Sequence, residues 1–216
     1  IRRKFQTTDY GLGVETLNFG YRNTNLEFIA GKFNPTFGSA FDRSRFSGIY
    51  GVLKPEEYKL TEKIGGAISA LFPFGNLTFN LFFDDTTQLS STALSRRGRD
   101  KSEGGAGNTE KLENFSLTFD SRINDVYFNL GLRILETDET GGESETGIVA
   151  GAEYTMDLGN GFYFIPFAEA VYLNNFDGMK DRQVYYITAF LPIIYENWHF
   201  IFSNTTNIMK SCNCKS

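Results

Sequence analysis

The chain has few of the residues that bond chemistry usually needs: one histidine, two cysteines and one tryptophan in 216 residues. His199 lacks the serine two places on that barrel lipases pair with it, since Ile201 stands there. Without a base–nucleophile pair, packing at an interface is the simpler role for this histidine. Cys212 and Cys214 stand close together but have no further Cys or His to complete a metal site. Gly11-Leu12-Gly13 and Gly104-Gly105-Ala106-Gly107 lack the Lys-Ser/Thr of a phosphate loop. No enzyme, metal or cofactor is therefore predicted. Positive charge is also in deficit: the net charge of −5 argues against a nucleic-acid partner. No window approaches the ~18 apolar residues of a membrane helix. There is no N-terminal Met, basic stretch or apolar leader, so the expectation is that a signal segment was removed or that the chain is a fragment.

What is abundant is phenylalanine and glycine, 22 of each. The aromatics fall in segments that read as ten strands, at 10–22, 26–33, 59–72, 77–86, 113–121, 126–136, 146–157, 162–173, 183–194 and 198–208. Connections of 3 or 4 residues alternate with connections of 9 to 26. A sandwich has no reason to put every short connection at one end, whereas a membrane meander has tight turns on one side and long loops on the other. Several strands exceed the globular mode of about 5–6 residues and match the roughly 9–11 that a tilted membrane strand needs. Mean hydropathy is −0.28, which is compatible with strands that mix a lipid face with a polar inner face. The expectation is an all-β, antiparallel up-and-down transmembrane β-barrel over residues 1–208, about ten strands present, with 209–216 as a tail outside it.

Alternation assigns the faces. Leu77, Phe79, Leu81 and Phe83 oppose Thr78, Asn80, Phe82 and Asp84; Phe115, Leu117 and Phe119 oppose Ser116, Thr118 and Asp120. Val126, Phe128, Leu130 and Leu132 oppose Tyr127, Asn129, Gly131 and Arg133; Ile148, Ala150, Ala152 and Tyr154 oppose Val149, Gly151 and Glu153. The first face is expected to meet lipid and the second to line an inner space. Phe72, Phe162, Phe164 and Trp198 near the short turns, with Tyr172 and Tyr185 near the loops, predict two interfacial girdles. On the strand 26–33, the face of Lys32 is taken as inward. Pro166 and Pro192 fall inside predicted strands, where a missing N–H signals an edge or a bulge. A helical turn is expected around Pro55-Glu56-Glu57-Tyr58. With short turns periplasmic, both chain ends emerge outside, so one more strand at each end would give an even count of about twelve.

The stretch Ala30-Gly31-Lys32-Phe33-Asn34-Pro35-Thr36-Phe37-Gly38, with Gly48-Ile49-Tyr50-Gly51 and Glu57-Tyr58-Lys59-Leu60-Thr61-Glu62-Lys63-Ile64-Gly65, resembles the porin family of Gram-negative bacteria. So do Phe83-Asp84-Asp85-Thr86-Thr87, Ser95-Arg96-Arg97-Gly98-Arg99 and Asn114-Phe115-Ser116-Leu117-Thr118. The likeness runs from about residue 10 to 208 and implies an outer-membrane barrel that passes small hydrophilic solutes by diffusion. It also implies that homo-oligomers, often trimers, occur among larger relatives; no strand here shows a distinct subunit face.

A diffusion pore works through the charge lining its water. Lys63, Asn80, Asp84, Asp120, Asn129, Arg133, Glu153 and Glu169 are the predicted lining, four acids against two bases. Asp84 and Asp120, near strand ends, equally suit a solvated rim. Glu153 and Glu169 are flanked by lipid-type residues, so an outward carboxylate there would be costly. Arg96, Arg97, Arg99 and Lys101, joined by Arg43 and Arg45, offer a loop constriction, though a charge run among Gly and Ser is more simply a wet loop. Two other functions compete: a narrow or plugged adhesive barrel whose outer loops bind partners, and a soluble carrier with an apolar cavity.

Overall fold

The computed structural model describes residues 13–46, 54–91 and 100–211. Alternating side chains produce one antiparallel sheet of twelve strands: β1 Leu17–Arg22, β2 Leu26–Phe33, β3 Lys63–Phe72, β4 Gly75–Asp84, β5 Asn114–Ile123, β6 Val126–Leu135, β7 Glu145–Tyr154, β8 Met156–Gly159, β9 Phe162–Phe164, β10 Phe167–Asn174, β11 Arg182–Tyr195 and β12 Trp198–Ser211. Neighbours in sequence are neighbours in the sheet, as expected of an up-and-down meander. Two strand pairs are single crossings with a break: β7 and β8 part at Thr155, and β9 and β10 part at Ile165-Pro166. Ten crossings result, matching the ten expected strands. The last runs on to Ser211, so Met209, Lys210 and Ser211 are strand rather than tail. Cys212 and Cys214 lie outside the described residues. β1 pairs with β2, and β12 with β11; among the described residues neither has a second partner.

Pro166 and Pro192 meet at one place. Ile165 donates its N–H to the Pro192 carbonyl at 3.0 Å, and Tyr154 donates to the Pro166 carbonyl at 3.1 Å. In an extended strand a residue's N–H and C=O point the same way, so the N–H that Pro192 lacks would face the existing break between β9 and β10. Two prolines thus share one irregularity, and the ladder between β11 and β12 stays intact.

The tight turns stay at one end and hold left-handed residues, with Asn124 at φ 52° and Asn160 at φ 54°; asparagine tolerates that conformation better than most side chains. The opposite end carries the long loops. The first of these, loop 1, spans 34–62 and contains α1 (Ala40–Phe46) and a one-turn 3-10 helix (Lys54–Glu57), the latter at the predicted helical turn.

Burial alternates as predicted. On β6 and β7, Leu130 is 51% exposed and Ile148 60%, while their neighbours Asn129 and Val149 are 6% and 3% exposed. Aromatic pairs occur at both ends of the sheet: Tyr172 and Tyr185 lie against each other (4.7 Å) near the long loops, and Phe72 stacks on Phe74 (5.3 Å) near the short turns. The buried side is covered by loop 1, whose Phe37, Tyr58 and Leu60 pack with Phe82, Val171 and Tyr186 of the sheet.

Close strand approach at β3–β4 needs Gly65. A Cβ there would meet the Leu81 carbonyl oxygen at 2.0 Å and the Phe82 Cα at 2.7 Å, both backbone. Gly65→Ala is predicted to destabilise the fold by about 1–3 kcal/mol, measured by urea unfolding; an unchanged midpoint would contradict this close approach.

Candidate functional site

The site is the seam between loop 1 and the inner face of the sheet. Period-two alternation places one row of inner residues across the strands at equal height: Asp120 faces Asn129, Asn129 faces Gly151, Gly151 faces Glu169, and Glu169 faces Thr188. Glu169, on β10, is 2% exposed. A buried carboxylate needs donors on both oxygens, and loop 1 supplies most of those that Glu169 has. The N–H groups of Ser39 and Ala40 donate at 2.6 and 3.2 Å, and the Tyr58 hydroxyl donates at 2.7 Å. The Ser39 hydroxyl lies 3.3 Å from Oε2, and Asn129 donates from the sheet, also at 3.3 Å. Ser39 also donates its hydroxyl to the Asn129 Oδ1 at 3.0 Å. Burial, then the charge of Glu169, raises the Tyr58 hydroxyl pKa far above its usual value, so Tyr58 remains a proton donor throughout the ordinary pH range. Gly38 makes the approach possible: its φ is +76°, and a Cβ would lie 2.9 Å from the Glu169 Oε1.

Neighbouring rows fasten the rest of the loop. Ser116 donates to the Thr36 carbonyl at 2.9 Å, Asn80 donates to the Thr36 hydroxyl at 3.1 Å, and the Thr36 and Thr118 hydroxyls share a 2.8 Å bond. Arg133 donates to the Tyr58 carbonyl and to Glu145, both at 2.5 Å, with its guanidinium 4.6 Å from the Phe37 ring. Tyr186 donates to Glu57 at 3.0 Å. Toward the short turns, Glu153 is paired with Arg43 of α1 and with Arg122 at 2.8 Å. Arg43 also lies over the Tyr127 ring, 4.0 Å from its centroid.

Of the predicted lining residues, Asn80, Asn129, Arg133, Glu153 and Glu169 are thus gathered around one loop. Lys63 and Asp84 pair with each other at the long-loop rim. Asp120 is half-buried and accepts from Asn76 at 3.2 Å. Lys32 departs from expectation. It alternates with Leu26 and Phe28, each 43% exposed, so its face is the outer one. Lys32 is nevertheless buried, because the segment after β4 covers it: its ammonium meets Asp85 at 2.8 Å, Glu62 at 3.0 Å and the Leu89 carbonyl at 3.0 Å.

For the predicted loop constriction, Arg96, Arg97 and Arg99 lie outside the described residues. Lys101 is exposed in an outer-loop ion cluster with Glu110 (3.3 Å) and Asp138 (3.5 Å). Loop 1, through Arg43, is the segment that reaches the inner face. Sequence reasoning did not single out Ser39 or Tyr58 as partners of the sheet, nor Tyr186, Arg122 or Glu145. Their only signal was that inner-facing Glu169, Glu153 and Arg133 needed partners of some kind. The inner face is also less polar than expected: Phe167, Val171 and Leu173 of β10, with Val184 and Phe190 of β11, are buried on it. Among the described residues no group of three or more His, Cys, Asp or Glu is placed to hold a metal.

No family model matches the sequence, and no curated protein matches it. Two solved structures are similar in outline. One is OmpT (in-vitro folded, trimer form), an outer membrane protein of Vibrio cholerae, at 12% identity and a TM-score of 0.43, covering 90% of this chain and 70% of that one. The other is the loop L8 deletion mutant of OmpT, at 12% identity and a TM-score of 0.40, covering 89% and 76%. Neither likeness bears on what passes through or binds this chain.

Glu169→Ala would leave the Ser39 and Ala40 N–H groups and the Tyr58 hydroxyl unpaired, at about 1–3 kcal/mol for each donor that stays buried. Loop 1 is predicted to release, so trypsin should cut after Arg43 and Lys59 at least about tenfold faster than in the parent, a factor worth ~1.4 kcal/mol. Equal cleavage rates would contradict the clamp.

Proposed function

We propose that the chain crosses the bacterial outer membrane as a β-barrel and passes small hydrophilic solutes through an inner channel that loop 1 narrows. The observation that carries this reading is the sorting of faces. Leu130, Ile148, Ile187 and Phe202 form an exposed apolar band, which in water would be a large aggregation-prone patch and in a bilayer is the lipid face. Asn129, Arg133, Glu153 and Glu169 lie on the opposite side of the same sheet. A soluble carrier would reverse the two faces. Outer-membrane lipid is then the partner of the outer band, which also leaves room for further copies of the chain. Selectivity would come from the charged groups around loop 1, with Asp42 and Lys59 (3.1 Å apart) on that loop.

A second reading, a plugged barrel with adhesive outer loops, is favoured by one feature. Phe37, Tyr58 and Leu60 are only 2–3% exposed, so loop 1 packs on the apolar part of the inner wall as a core does. Planar-bilayer recording separates the two. The channel reading predicts stepwise conductance from the parent protein and larger steps from Gly38→Val, whose side chain displaces loop 1 from Glu169. Silence from both, with correct insertion, would leave the plugged barrel. A third check concerns the lipid face: Leu130→Arg is predicted to lose about 2–4 kcal/mol of folding stability in lipid, and no loss would place Leu130 away from the bilayer.

A further inference from the structure

Between loop 1 and the short turns the inner wall changes character. Phe167 and Phe190 stack at 5.7 Å. With Ile165, Pro192, Ile194 and Ile201 they wall a recess of about 190 Å³ whose charged members are Arg43 and Glu153. His199 stands at its exposed side. The recess lies at the shared proline break, where the strands carry no polar row. A passage for hydrophilic solutes has no use for such a surface.

We propose that this recess binds small carboxylates bearing one apolar group, an aromatic ring or a branched alkyl chain. This deepens the channel reading above and rests on it. The apolar group would sit against Phe190, Pro192 and Ile201, and the carboxylate would pair with Arg43. Size is suitable, since an apolar cavity of about 150 Å³ takes a benzene ring. Charge points the same way: Arg43 and Arg122 share the single carboxylate of Glu153, so a second carboxylate gives each guanidinium a partner. The other acids nearby are engaged elsewhere, Asp120 by Asn76 and Glu169 by loop 1 and Asn129. Arg43 is already oriented, with its guanidinium 4.0 Å from the Tyr127 centroid and 5.3 Å from that of Phe167. Its side chain keeps 23% of its surface open. Holding the cation in place before the ligand arrives lowers the entropy lost on binding.

The test is isothermal titration of the detergent-folded chain with phenylacetate, using acetate and phenethylamine as comparators. Phenylacetate is expected to bind saturably at one site, with both comparators weaker by about tenfold or more, the loss expected for one charge-assisted contact or one buried ring. Arg43→Gln and Ile201→Asn should each weaken phenylacetate by about the same factor. Ile201 lies on β12, away from the clamp, so it decides the matter if the Arg43 variant fails to fold. No saturable binding to the parent would overturn the proposal, as would phenethylamine binding as tightly, or folded variants that bind like the parent. Conductance recorded without phenylacetate reports on the channel separately: a silent protein that still binds phenylacetate would remove the channel and keep the site.

Discussion

A carboxylate withdrawn from water must be met by donors or give up its charge, and Glu169 is the place where this chain faces that demand. Its donors come from Ser39, Ala40 and Tyr58 of loop 1, and from the sheet only through Asn129. Burial of Glu169 and inward folding of loop 1 are therefore one event. The other contacts of the seam follow from it. Once Ser39 is held, Thr36 is carried to Ser116 and Thr118, Arg43 to Glu153, and the Tyr58 carbonyl to Arg133. Gly38 permits the approach because it has neither a side chain nor a penalty for its positive φ.

The inner wall is divided in a way that matches the loop. Strands β4 to β6 offer Asn80, Ser116, Thr118 and Asn129, and loop 1 answers with Thr36 and Ser39. Strands β10 and β11 offer Val171, Leu173 and Val184, packed in the same core as Phe37, Tyr58 and Leu60. Hydrogen bonds fix the register of the loop on one side, and apolar burial holds it on the other. The apolar part continues below the loop as the recess beside Arg43, so one sheet presents three inner environments: an ion-paired rim, a clamped waist and a lower apolar wall.

Much of the fold was legible in the sequence because period-two alternation acts locally. Leu130 beside Asn129, or Ile148 beside Val149, declares its face without reference to distant residues. Turn chemistry is local as well, as at Asn124. The site was legible only in half. Asn129, Arg133, Glu153 and Glu169 stood out because charge and amide on an inner face demand partners. The partners themselves, Ser39 and Tyr58, lie more than a hundred residues from Glu169, in a polar loop that shows no period. Lys32 misled for a related reason: a lysine on a strand suggests the wet face, and only the covering segment with Asp85 and Leu89 accounts for its outward burial. The prolines were read correctly as irregularities, but their meeting at one break depends on the pairing of strands far apart in sequence.

The central claim is that the two faces of the sheet see different solvents, lipid on one and the loop-filled interior on the other. It is tested most directly by nitroxide labels placed singly at Ile148 and at Val149, in a background with Cys212 and Cys214 changed to serine. Their collision rates with oxygen and with a water-soluble nickel complex would be measured in proteoliposomes. Oxygen should dominate at 148, with little access to either reagent at 149. Strong nickel access at 148, or a lipid-like oxygen signal at 149, would contradict the account.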